Sequence, residues 1–173
     1  MCPTWSTTLT TELHTVAHVD LNRYLGNWYE IARKPMRYED EAARDITATY
    51  SLNEDGSVRV LNACINKDGE AEQSEGQAKP VDGSNARLEV TFLPQGLRWI
   101  PFSKGDYWIM RLDEEYQTAL VGDPDRKFLW LLHRNPSIDD ATRAEWLGFA
   151  QAQGYDIGDL IHPLQSGQMH REK

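Results

Sequence analysis

The sequence predicts an all-β protein: an eight-stranded antiparallel up-and-down barrel, with one helical turn before it and one α-helix packed outside it. Three observations carry this. Apolar residues alternate with period two through eight segments between Trp28 and Arg134. Most connections are short and rich in Asn, Asp and Gly, and strands joined in that way pair antiparallel. After Asn135-Pro136 the period becomes helical. Closing the sheet removes both edges, and eight strands leave space inside for one small ligand. A two-sheet sandwich is the alternative.

In chain order, residues 1–19 are Thr-rich and aperiodic and read as an arm. Asp20 caps a single helical turn through Leu21 to Leu25, stopped by Gly26. Strands are expected over 28–34, 45–53, 57–66, 70–79, 86–93, 106–113, 116–122 and 127–134. Asn53-Glu54-Asp55-Gly56, Lys67-Asp68-Gly69, Asp82-Gly83-Ser84-Asn85 and Gly122-Asp123-Pro124-Asp125 supply the residues that tolerate positive φ in tight turns. Two connections are long, 35–44 and 94–105, and long loops in a compact domain tend to be functional. Ser137 or Asp139 caps the helix, whose Ala141, Ala144, Trp146, Leu147 and Ala150 recur at helical spacing until Gly154. That face is expected against the outside of the sheet, with Tyr155, Ile157, Leu160 and Ile161 packing back and 165–173 frayed. One domain therefore spans 20–164.

Composition narrows the function. With 173 residues, 40% hydrophobic, the chain is long enough for one core and too apolar to be disordered. Its formal charge of -9 and pI near 5.0 are the wrong sign for tracking phosphates, so nucleic acid is not an expected partner. No apolar run approaches the ~20 residues of a membrane helix. Met1 to Thr8 shows neither a basic segment nor an apolar run, so no intact signal peptide is expected. Cys2 and Cys64 allow one bridge and no zinc spacing; Cys2 reads equally as incidental or as a lipid-anchor remnant.

Three segments carry a family resemblance. Gly26-Asn27-Trp28-Tyr29 opens the first strand after a helical turn. Asp113-Glu114-Glu115-Tyr116, then Thr118-Ala119-Leu120-Val121, lies between the sixth and seventh strands. Trp130-Leu131-Leu132-His133-Arg134 ends the eighth. In that order they resemble the three lipocalin signatures. Ala48-Thr49-Tyr50-Ser51-Leu52, Gln73-Ser74-Glu75-Gly76 and Gly122-Asp123-Pro124-Asp125-Arg126 are similar to the bacterial outer-membrane branch, and the likeness covers about 20–164. It departs from that branch in lacking a leader and in the apolar segment Leu97-Arg98-Trp99-Ile100-Pro101-Phe102. The resemblance implies a calycin-type barrel that binds or transports a hydrophobic small molecule, and a lipoprotein-like link to the outer membrane or periplasm. It also makes a homodimer plausible. Without a signal peptide, a cytoplasmic location stays open.

The signatures have a physical reading. Following the hairpins, Gly26, Trp28, Tyr116 and Arg134 meet at one end, where the Arg134 guanidinium can lie over the Trp28 indole and close the base. If Arg134 points inward, so do Leu132, Trp130 and Phe128. Leu88, Val90 and Phe92 form the apolar face of the fifth strand; Val58, Val60, Asn62 and Cys64 share a face of the third. Ser74, Gly76 and Ala78 are small enough to leave room. In the sixth strand either Tyr107 and Ile109, or Trp108, Met110 and Leu112, face in. Trp99 and Phe102 need a buried partner, which a lid, a second subunit or a bilayer would each provide.

Catalytic motifs are absent: no nucleophile elbow, phosphate loop, dinucleotide fingerprint or zinc-protease pair, and four of the five histidines lie in the tails. The expected function is carriage of a fatty acid or lysophospholipid, with no cofactor and no metal. Two alternatives stay open: a barrel enzyme using Glu30 as acid or base, and an interaction protein with a filled barrel. Peripheral membrane association is open as well.

Overall fold

The computed structural model describes residues 12–35, 41–93 and 104–166. Its elements are α1 (Leu21–Tyr24), β1 (Gly26–Arg33), β2 (Arg44–Leu52), β3 (Val58–Ile65), β4 (Ala71–Pro80), β5 (Arg87–Leu93), β6 (Lys104–Leu112), β7 (Thr118–Gly122), β8 (Leu129–His133) and α2 (Asp140–Ala152). The eight strands form one closed antiparallel barrel, each paired with its neighbours in sequence and β1 paired with β8. Asp20 caps α1, its Oδ1 accepting from the Asn22 N–H at 3.0 Å. Asp139, rather than Ser137, caps α2 by accepting from the Thr142 N–H at 2.6 Å. Odd-numbered strands start at the end bearing α1, which becomes the base. Even-numbered strands start at the opposite end, the mouth.

Period-two alternation divides the apolar residues into two cores. The inner one gathers Trp28, Tyr50, Val58, Val60, Leu88, Val90, Ile109, Val121 and Leu132 inside the barrel. The outer one sets Trp146, Leu147 and Ala150 of α2 on Tyr29, Ile31, Met110, Leu120, Leu129 and Leu131 of the sheet. The open parity of β6 is thereby answered: Tyr107 and Ile109 face in, while Met110 and Trp108 join the outer core. A register shift between Ile109 and Arg111 returns Leu112 to the inner side.

Two expectations need correction. The described part of the arm is not peripheral: Val19 is fully buried in the inner core and Leu13 in the outer one. The Val16 N–H donates to the Ile109 carbonyl at 3.0 Å and the Val19 N–H to the Ser84 carbonyl at 2.8 Å. An extended segment has no helical or strand periodicity to betray it, yet two apolar side chains suffice to seat it. Nor do residues 165–166 fray. The Gln165 amide donates to the Glu30 and Ile46 carbonyls at 2.8 and 2.9 Å, where β1 and β2 have parted. Ser166 donates through N and Oγ to the buried Asp45 carboxylate. Carbonyls and a carboxylate left by a diverging ladder need partners, and the tail supplies them. Cys2, and with it the Cys2–Cys64 pairing, falls outside the described residues, as do Trp99 and Phe102. Among the described residues no helix is long and apolar enough to cross a membrane.

The base is closed as the signature residues suggested. The Arg134 guanidinium carbon lies 3.8 Å from the Trp28 ring centroid. Its nitrogens donate to the carbonyls of Tyr116, Asn27, Arg23 and Tyr24 at 2.9–3.3 Å. Gly26 sits at φ +102°, a conformation that favours glycine, and a Cβ there would press on Arg134 Nη1 at 3.3 Å. Tyr116 accepts at its hydroxyl from the Asp20 N–H at 2.9 Å.

Truncating fully buried Trp28 to Ala is expected to cost about 3–5 kcal/mol, and Arg134→Ala less. The double variant should lose less than the two added together, because the groups touch. Strict additivity in a denaturant cycle would contradict the pairing.

Candidate functional site

The inner face of the barrel builds a cavity of about 20 Å³. Val58 and Val60 of β3, Ala78 of β4, Leu88 and Val90 of β5, Tyr107 of β6 and Tyr50 of β2 form its wall; Leu21, Tyr24 and Leu25 of the helical turn form its floor. It takes about one water-sized group, since a water needs roughly 10–15 Å³ by this measure. The surface lining it is wholly apolar, because the hydroxyls of its three tyrosines are bonded to one another rather than presented to the cavity. Tyr24 Oη and Tyr107 Oη are 2.6 Å apart, and Tyr50 Oη and Tyr107 Oη are 2.9 Å apart. Tyr24 stacks on Tyr50 with centroids 5.6 Å apart, and Tyr107 meets Tyr50 edge-on at 6.1 Å.

Burial sets the protonation of this array. Desolvation raises the Tyr50 hydroxyl to about 12 and pushes Tyr24 and Tyr107 well above the usual tyrosine value. Both neighbouring phenols add to the rise at Tyr107, whereas at Tyr24 the Tyr50 phenol adds to it and the Tyr107 hydrogen bond opposes it; at Tyr50 the Tyr107 hydrogen bond and the Arg134 charge lower the value and the Glu30 charge raises it. All three are neutral hydrogen-bonding groups at ordinary pH.

Toward the mouth the interior changes character. Trp130 and Phe92, both partly buried, pack against the inner core, and Phe128 stacks on Trp130 at 5.9 Å. A register shift between Glu30 and Ala32 aims Glu30 and Arg33 to the same side of β1, opposite inward Leu132 and Trp130 of β8. Glu30 Oε2 accepts from Arg33 Nη1 at 3.0 Å, and the two side chains are 5% and 0% exposed. The Glu30 charge is felt at Tyr50. A fully buried cation thus lies inside the barrel in addition to the half-buried Arg134 at the base, and alternation alone did not reveal it.

Of the sequence-nominated residues, Val58, Val60, Leu88, Val90 and Tyr107 line the cavity, while Phe92, Trp130 and Leu132 share its inner core. Asn62, Cys64 and Ser74 are not among the cavity-lining residues; they keep the inward parity of their strands but lie toward the mouth, Asn62 and Cys64 half-buried and Ser74 exposed. Gly26, Trp28, Tyr116 and Arg134 close the base below it. Tyr24, Tyr50, Leu21 and Leu25 were not nominated. For Tyr50 a signal existed, because it shares parity with Ala48; Tyr24 sits in a four-residue helix with no period to read. No group of three or more His, Cys, Asp or Glu among the described residues is arranged to hold a metal.

A small antiparallel barrel, sealed at one end by an Arg–Trp pair and lined by apolar side chains, defines the single-cavity barrels of the binding-protein class. Residues 19–165 match the family model described as a lipocalin-like domain, and the chain belongs to that family. It is 39% identical over 158 residues to temperature-induced lipocalin-1 of Arabidopsis thaliana, covering 90% of this chain and 84% of the relative. It is 42% identical over 154 residues to the outer membrane lipoprotein Blc of Escherichia coli K12, covering 88% and 82%. Insecticyanin of the tobacco hornworm shares the fold alone, with a TM-score of 0.67 at 18% identity over 90% of this chain and 85% of that one.

The tyrosine array has a consequence for stability. A hydroxyl held above its unfolded value of 10.0 costs nothing while both states are protonated, and destabilises once the unfolded chain can ionise alone. Stability is therefore expected to be intact below pH 10 and to fall as the pH rises from 10 toward 12. Tyrosinate absorbance of Tyr24, Tyr50 and Tyr107 should appear together with unfolding. Ionisation of all seven tyrosines near pH 10 in the folded protein would contradict the burial described.

Proposed function

We propose that the chain binds a hydrophobic small molecule inside the barrel, in the manner of a carrier, with an acyl chain as the preferred ligand: a fatty acid or a lysophospholipid. The observation that supports this most is the inner wall itself, apolar from Val58, Val60, Leu88 and Val90 up to Phe92 and Trp130, above a sealed base. The cavity takes the leading end of the chain. The remainder lies toward the mouth along Phe92, Phe128 and Trp130, side chains with room to move because they are only partly buried. The head group stays near the mouth, in reach of the Glu30–Arg33 pair. Apolar pockets of this kind take affinity from burial and specificity from a few polar groups.

The same reading links the protein to the cell envelope, supported by relatives named as outer membrane lipoproteins. Self-association and contact with a bilayer are assigned to Leu97 through Phe102, residues outside those described. The enzyme alternative gains nothing from Glu30, whose carboxylate is engaged by Arg33 rather than presented to the cavity.

Titration with saturated fatty acids tests the proposal. Affinity should rise about fourfold per methylene, the equivalent of ~0.8 kcal/mol, until the chain reaches the floor. Trp130 fluorescence should respond, and Trp130→Phe should remove that response without removing binding. If neither fatty acids nor lysophospholipids bind at micromolar concentration, the carrier reading is wrong.

A further inference from the structure

Gly76 faces inward in the middle of β4, opposite Val60 of β3. Its backbone does not require glycine: among the described residues positive φ falls at Gly26, Gly56, Gly69 and Gly154, not at Gly76. Glycine inside a strand weakens it and often marks the close approach of another group. Here that group is Phe92, its partner across the β4–β5 ladder. A Cβ at Gly76 would lie 3.0 Å from Phe92 Cδ1, 3.4 Å from Phe92 Cα and 2.9 Å from the Thr91 carbonyl oxygen. The edge of the ring thus fills the space that a side chain at 76 would need. The small residue leaves no open room at this point, because Phe92 takes it. The position of the pair matters. Ala78 and Val90, the next inward pair toward the base, line the cavity, so Gly76 and Phe92 stand immediately above it on the way to the mouth.

We infer that Phe92, laid back on β4 because Gly76 has no side chain, sets the width of the passage between the mouth and the cavity. The ligand that passes is a single unbranched hydrocarbon chain; methyl branches would have to push the ring off a wall it already touches. The inference rests on the carrier reading and specifies the cross-section of the ligand. Size agrees with it, since a cavity of about 20 Å³ takes one small group at a time. The two contacts at Gly76 separate a structural role from a selective one. The Thr91 carbonyl belongs to the backbone, so a methyl group at 76 strains the ladder whatever stands at 92. The ring yields by swinging away from β4, into the barrel. Alanine at 76 therefore narrows the passage, and removal of the ring at 92 widens it.

Calorimetric titration of the full chain with hexadecanoic acid and 3,7,11,15-tetramethylhexadecanoic acid tests this, because the two share a main chain and differ only in methyl branches. The readout is the ratio of the two affinities relative to the wild type, in which the probes' own hydrophobicity cancels. Phe92→Ala should move that ratio about tenfold toward the branched acid, the scale on which overpacking by added methyl groups is felt. Gly76→Ala should move it the other way. Gly76→Ala/Phe92→Ala should return to the Phe92→Ala ratio, even where both Gly76 variants melt below the wild type. An unchanged ratio in Phe92→Ala overturns the inference whether or not the Gly76 variants fold, and leaves the carrier reading standing. A double variant that keeps the Gly76→Ala ratio also overturns it, since strain at Thr91 alone would then account for the glycine. Binding of neither acid to the wild type rejects the carrier reading, and the inference with it.

Discussion

The closed end of the barrel depends on one guanidinium. Arg134 lies flat over Trp28 and joins α1, the start of β1 and the turn before β7 by donating to carbonyls in each. Cation–π attraction and charge-assisted hydrogen bonds reinforce one another here, because both gain from the partial desolvation that a lone arginine would resist. The Tyr24 carbonyl receives Arg134 Nη2 at 3.3 Å and the Trp28 indole N–H at 2.9 Å. The helical turn is thereby fixed, and the Tyr24 hydroxyl with it. The base and the floor of the cavity are one construction, so the residues that look purely structural also position the site.

Above the base, alternation does most of the sorting. Each strand sends one apolar set inward and the other toward α2 or solvent, and of three register shifts in the ladder those in β1 and β6 change which side chains face in. The shift in β1 turns Glu30 and Arg33 to the same side as Leu132 and Trp130, and the shift in β6 brings Leu112 back to the inner core. The polar groups kept inside are partnered: tyrosines with one another, Glu30 with Arg33. Leaving such a group without a partner would cost roughly 1–3 kcal/mol. The interior that results is apolar along its wall and floor and charged near its mouth.

Much of this was legible in the sequence. Period-two runs and Asn/Asp/Gly turns located every strand to within two residues, and the Gly26, Trp28, Tyr116 and Arg134 set identified the closed end. What escaped has particular causes. Leu13 and Val19 belong to an extended segment, whose burial comes from tertiary contact and leaves no period. Arg33 was hidden by the bulge, since strict alternation from Trp28 would place it outward. Gln165 and Ser166 lie in a polar tail, and only the gap between β1 and β2 makes them structural. The tyrosine array joins residues 24, 50 and 107, and long-range side-chain meetings of that kind follow from register, which a single sequence specifies only loosely.

The central claim is that an apolar ligand occupies the inside of the barrel rather than the apolar surface under α2. Methyl-resolved NMR of the protein titrated with a fatty acid decides between the two. The account predicts shifts confined to inner methyls, those of Val58, Val60, Leu88, Val90 and Leu132, with Leu120, Leu129, Leu131 and Leu147 of the outer core unmoved. Shifts restricted to the outer core, or to exposed Leu52 and Val81, would contradict it.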